Sequence, residues 1–261
     1  MRASRIIAIH VTGRLCDDGA IARTPGALCE AARIIKRHGD VRGLLAFRVS
    51  DTHYHVVLQC TREEAGMFAR YASAALHRCL HLEVDFERAR FRVIRSERHL
   101  FATLRYLFKQ EAHHRSDFDP AHDGSSLCEL LGLRVGGSIM NARVRRTLPR
   151  LRREMLLEWL GVGALDSARV NPALLCEAAC AAFGLSSLEG EHPAQCQARR
   201  AAAHVGVLIA KPSKVGALLG CSARSIRRYR HEPVVAAERK AVELQLRLRT
   251  LLQRHDGDVI R

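Results

Sequence analysis

Several things are scarce in this chain of 261 residues. No apolar run approaches the length of a membrane span, and the basic start lacks the apolar stretch and cleavage segment of a secretory leader. A cytoplasmic protein with no membrane partner is therefore expected. Aromatic residues make up only 5%, yet 48% of the chain is apolar, which excludes a disordered polypeptide. The nine cysteines are odd in number and none forms the tight pairs of a zinc knuckle or ribbon, so reduced thiols are expected. Cys176 and Cys180 at helical spacing, with Cys196 following His192 at the same interval, are open to two readings: a zinc set or ordinary core thiols. Acid is scarce too. Against 42 Lys and Arg stand 27 Asp and Glu, a formal charge of +15. A surplus of that size points to a polyanion, of which nucleic acid is the commonest, and hence to a nucleoid location. Residues 1–140 carry 21 basic and 16 acidic side chains, and 141–261 carry 21 and 11, so the second half is the more committed to such a partner.

The length allows one large domain or two modest ones. Arg5–Thr12 reads as a first strand, Pro25–His38 as a helix, and Val41–Val49 and His53–Cys60 as a hairpin reversing at Ser50–Thr52. Thr61 caps a helix reaching about Leu80. Phe91–Ile94 is a short strand, and Ser96 opens a further helix. Strands among helices imply a covered sheet, and the hairpin makes it at least partly antiparallel. That argues against a doubly wound dinucleotide fold, and no Gly-rich phosphate loop is present. A domain boundary is placed near Gly136–Gly137, giving a catalytic domain over 1–136 and a helical domain over 137–261. The helices expected in the latter span Val144–Leu160, Asn171–Phe183, Pro193–Ile209, Pro212–Leu219, Ala223–Arg230 and Pro233 to about Gln253. Residues 213–230 read as a helix-turn-helix. Its second helix carries Arg224, Arg227, Arg228, Tyr229 and Arg230 for the major groove of duplex DNA; the plainer reading is a basic helical hairpin with solvated arginines.

The most informative stretch is His53-Tyr54-His55. Side chains two apart on a strand share a face, so both imidazoles can meet one ion while Tyr54 turns away. Farther along, Tyr106 and Gln110 lie one turn apart on a helix. Two imidazoles and an amide oxygen form a neutral ligand set, which leaves a bound Mg²⁺ or Mn²⁺ most of its charge for a phosphate. A free tyrosine has a pKa near 10 and needs such a field or a base to attack phosphorus. Taken singly, a histidine pair is more often a surface feature and Tyr106 a core aromatic. Their joint occurrence favours metal-assisted phosphodiester cleavage by a tyrosine, with Tyr106, His53, His55 and Gln110 catalytic. His113 and His114 are solvated helix-end residues on the plain reading; the alternative makes one of them a proton shuttle or substitute ligand.

These residues together resemble the HUH single-strand DNA transposases of the small insertion-sequence type, and especially their REP-associated branch. The resemblance rests on His10-Val11-Thr12-Gly13-Arg14, on His53-Tyr54-His55 and on Tyr106 with Gln110. Ser125-Ser126-Leu127 and Leu130-Leu131-Gly132-Leu133 are similar to the segment that ends the family's catalytic domain. It covers roughly residues 4–135 and implies an α+β fold, an HUH-type sandwich on a central antiparallel sheet. It further implies that His53, His55 and Gln110 hold the divalent metal and that Tyr106 is the nucleophile, forming a 5′-phosphotyrosine with single-stranded or hairpin DNA. Arg14 is placed among the DNA contacts. Thr52 stands where the family usually has Asn, and Gln110-Glu111 stands where many REP-associated members have Asn-Pro. Leu174–Tyr229 looks like the duplex-binding domain of the bacterial chromosomal replication initiator, although Cys221-Ser222-Ala223 replaces its His-Ser-Thr run. A monomer is expected rather than a homodimer. The rival readings are a non-catalytic DNA-binding regulator on the same scaffold and a rolling-circle initiator or relaxase.

Overall fold

The computed structural model describes residues 6–17, 19–109, 124–159 and 170–258. They fall into two compact units, one from 1–130 with 138–160 and the other from 131–137 with 161–261. The expected single cut near Gly136–Gly137 is drawn instead as an interleaved one. Its cause is helix Ser138–Thr147, which returns to the first unit: Arg143 donates to the carbonyls of Asp40 at 2.8 Å and Leu44 at 3.4 Å.

The first unit is mixed α/β. Strands β1 (Ala8–Arg14), β2 (Leu44–Val49), β3 (His53–Leu58) and β4 (Arg90–Ile94) form one sheet in the order β2-β3-β1-β4, with every pairing antiparallel. The hairpin closes where Ser50 N–H donates to the His53 carbonyl at 2.8 Å. Beyond β2 the chain returns at 124–126, where Val49 N–H donates to the Gly124 carbonyl, Ser126 N–H donates to the Phe47 carbonyl and Phe47 N–H donates to Ser126 Oγ. The β2 edge is thereby covered.

Helices α1 (Pro25–Asp40) and α2 (Arg62–Cys79) pack against each other, and α2 lies on the Tyr54 face of the sheet. Thr61 and Glu64 form a reciprocal capping box that satisfies two otherwise orphan N–H groups at the start of α2. Tyr54 is fully buried, packs edge-on to Phe68 and bonds Ser73 Oγ through its hydroxyl at 2.9 Å. It lies across from Gly13, where a Cβ would stand 2.6 Å from Tyr54 Oη and nearer still to the ring. Only glycine fits there. Gly13→Ala is therefore expected to cost about 2–3 kcal/mol by overpacking, seen as a lowered denaturant midpoint at unchanged slope.

Helix α3 (Glu97–Phe108), capped by Ser96, covers the other face with Leu100, Leu104, Leu107 and Phe108 buried. Helices α4 (Leu127–Leu130), α5 (Ser138–Thr147) and α6 (Arg153–Trp159) complete the unit. The periodicity reads 144–160 as one helix, but Pro149 divides it, since a proline inside a helix removes a bond and clashes with the preceding turn.

The second unit is all-helical among the described residues: a 3₁₀ turn at Pro172–Leu174, then α7 (Leu175–Phe183), α8 (Pro193–Gly206), α9 (Pro212–Leu219), α10 (Ala223–Tyr229) and α11 (Ala236–Asp258). Alanines of α7 and α8 close against Val215, Ile226, Val242 and Leu246 in its core. No described helix is long and apolar enough to cross a membrane.

Candidate active site

The register of the sheet assembles a polar floor. Antiparallel pairing sets Thr12 opposite His55 and Arg14 opposite His53 on one side of β1, and Arg92 opposite His10 and Arg90 opposite Thr12 on the other. Directly paired residues share a face, and alternation carries the rest, so His10, Thr12, Arg14, His53, His55, Arg90 and Arg92 all face the same way. Over this face lies α3, which presents His99, Ala102, Thr103 and Tyr106 at helical spacing. Between helix and strand are two hollows of about 490 and 280 Å³, and both are lined by Thr12, His55, Arg90 and Tyr106.

The imidazoles are closely set. The His53 and His55 rings meet edge to face with centroids 4.7 Å apart. His55 is only 4% exposed, and its Nδ1 is held by His10 Nε2 at 3.0 Å and Thr12 Oγ1 at 3.2 Å. His53 Nδ1 is held by Thr52 Oγ1 at 3.1 Å. Burial foremost, together with the charges of Arg92 and His99, pulls the His10 pKa down to about 4, so His10 is neutral at pH 7. A bond between two imidazoles needs one N–H and one lone pair. With His55 Nδ1–H donating to His10 Nε2, the lone pair of His55 falls on Nε2.

Of the four tyrosines, only Tyr106 reaches this floor. It is 47% exposed, and its ring stands nearly perpendicular to that of His55 with centroids 5.7 Å apart. Tyr54 faces the opposite side, as alternation predicts, and burial pushes its pKa up to about 12. Tyr71 is on α2, with Arg42 and Arg70 guanidinium carbons 5.8 and 6.0 Å from its ring centre. Tyr229 belongs to the helical unit. Gln110, His113 and His114 lie outside the described residues. Among the described residues no three His, Cys, Asp or Glu side chains are grouped to hold a metal, which covers both the histidine floor and the cysteines of the helical unit. Sequence reasoning gave no role to His10, Thr12, Arg90, Arg92 or His99. The His10–Thr12 alternation was available as a signal, but which strand lies beside β1 was not.

In the helical unit α9 and α10 flank a turn at 220–222. Gly220 adopts the left-handed conformation that ends α9, and Ser222 Oγ accepts from Ser225 N–H at 3.0 Å to cap α10. Arg224, Arg227, Arg228 and Arg230 are exposed and Ile226 anchors the helix in the core. Arg228 pairs with Glu232 at 3.3 Å and lies 5.3 Å from the Tyr229 ring centre. Tyr229 is half-buried against the core.

No protein-family model and no curated protein matches the chain. Among solved structures it is similar to a REP-associated tyrosine transposase bound to a REP hairpin, at 15% identity and a TM-score of 0.35 over 44% of this chain and 72% of that one.

Proposed function

We propose that the chain is a metal-dependent single-stranded DNA endonuclease and strand transferase of the HUH tyrosine transposase type, acting as a monomer on hairpin or palindromic DNA. The observation that carries this reading is the half-exposed Tyr106 phenol beside the His55 imidazole, with His53 lining the same arginine-rimmed hollow. The Tyr106 oxygen attacks the scissile phosphorus in line. A P–O bond to tyrosine forms, the bond to the 3′-oxygen breaks, and the phenolic proton is in balance delivered to the leaving 3′-hydroxyl. The 5′-phosphotyrosine stores the bond for joining to another 3′ end, whereas hydrolysis would waste it.

The residues present fit a divalent cation. Both Nδ1 atoms are engaged by protein neighbours, the arrangement that fixes a histidine to ligate through Nε2. His53 and His55, with Gln110, would hold Mg²⁺ or Mn²⁺, which supplies positive charge against the scissile phosphate. Thr12 and His10 orient His55, Thr52 orients His53, and Arg14 binds the strand beside them.

The test is incubation of the full chain with labelled single-stranded hairpin DNA and Mn²⁺, followed by a denaturing gel. A covalent protein–DNA band that Tyr71→Phe still forms is the expected result. Binding without any adduct would instead favour a non-catalytic regulator.

The helical unit, on the same proposal, anchors the chain to duplex DNA through α10, raising the local concentration of hairpin at the first unit. Arg224→Ala with Arg227→Ala should weaken duplex binding and flatten its salt dependence by roughly 0.9 log units per lost phosphate contact. Arg228→Ala should do less, because Arg228 already pairs with Glu232. Filter binding over a salt series measures both.

A further inference from the structure

We infer that β4, the last strand of the sheet among the described residues, is a track for the backbone of one extended nucleic-acid strand, with Arg90 and Arg92 binding consecutive phosphates beside Tyr106. The inference rests on the nuclease reading above for the identity of the polymer and adds where that polymer lies.

Four observations carry it. Arg90 and Arg92 project from the same face of β4 as the histidine floor, opposite Thr12 and His10, and both side chains are exposed. Two residues along a strand separates them by about 6.6 Å, comparable to the repeat of phosphates along an extended single strand. Arg90 lines both hollows together with Tyr106. Arg92 lines the larger hollow together with His10, His55 and Tyr106.

The shape selects a single strand over a duplex. The floor between α3 and β4 is one strand wide, since β1 alone separates β4 from His55, and neighbouring strands are about 4.8 Å apart. A single backbone fits such a groove, whereas a duplex would rest on its rims. The acidic residue on this wall is Glu87, whose carboxylate is 3.6 Å from Arg90 in an exposed pair of the kind worth little in water. A phosphate can displace it. Phe91 points to the other face, where the Arg62 guanidinium sits 3.4 Å from its ring centre and steadies the strand.

The test is fluorescence anisotropy with a short oligothymidylate, which cannot form a hairpin, titrated into the full chain over a salt series. Arg90→Gln and Arg92→Gln should each flatten the plot of log affinity against log salt by roughly 0.7. The double variant should bind roughly tenfold more weakly at low salt. Arg70→Gln, which removes the same charge from α2 on the opposite face, should leave the slope unchanged. In the adduct assay the double variant should lose through KM, with its yield restored at saturating DNA. Equal slopes for wild type and both arginine variants would overturn the track, even if wild type forms the adduct. Arginine-dependent binding without adduct would uphold the track and overturn the cleavage reading.

Discussion

Tyr106→Phe is expected to abolish the covalent protein–DNA band and to lower strand cleavage by about 10⁴-fold or more, the scale on which an enzyme loses rate with its nucleophile. The substitution removes one oxygen from a side chain that is half in solvent, so it leaves the core of α3, built on Leu100, Leu104 and Leu107, in place. Hairpin affinity should therefore stay near that of wild type. The contrast is Tyr54→Phe, which deletes the buried bond to Ser73 and should cost about 1 kcal/mol of stability while leaving the adduct intact. An adduct that persists in Tyr106→Phe and vanishes in Tyr54→Phe would place the nucleophile on the wrong face of the sheet.

His55→Ala should eliminate Mn²⁺ binding measured by calorimetry and cut adduct formation by about 10³-fold, since it removes a proposed ligand and the partner of His10 together. The informative comparison lies one strand away. His10→Leu keeps both proposed histidine ligands but leaves His55 Nδ1 without its imidazole acceptor, which should weaken Mn²⁺ affinity by roughly 10–100-fold. His10→Gln offers an amide oxygen in place of the imidazole lone pair and should recover much of that loss. Equal affinities for wild type and His10→Leu would show that Nδ1 of His55 needs no support from His10.

What could be read in advance follows the range of each interaction. The spacing of His53 and His55 fixes a shared face because strand alternation is local, and Tyr54 accordingly packs under Gly13 on the opposite side. The Thr61–Glu64 cap and the Gly220 turn are local signals too, and each stands where the residues place it. The partners of the imidazoles were hidden because they come from pairing at a distance. Nothing in the segments themselves says that β1 inserts between β3 and β4, and only that order brings His10 to His55 and Arg90 to Thr12. The interleaved boundary was hidden for the same reason, since the bonds of Arg143 to Asp40 and Leu44 span a hundred residues of chain. Pro149 was visible, yet the surrounding apolar periodicity is strong enough to mask the break it makes.

The two margins of the sheet are treated differently. Residues 124–126 close the β2 side, while β4 has β1 as its neighbour among the described residues and carries arginines at alternate positions. A sheet margin is where copies of a protein can zip together into aggregates, and like charges along it oppose that approach. Neutralising those guanidiniums, by substitution or by very high salt, would thus expose the chain to self-association in concentrated solution. Keeping the protein dispersed and drawing a polyanion to its cleft would then be tasks of the same few side chains.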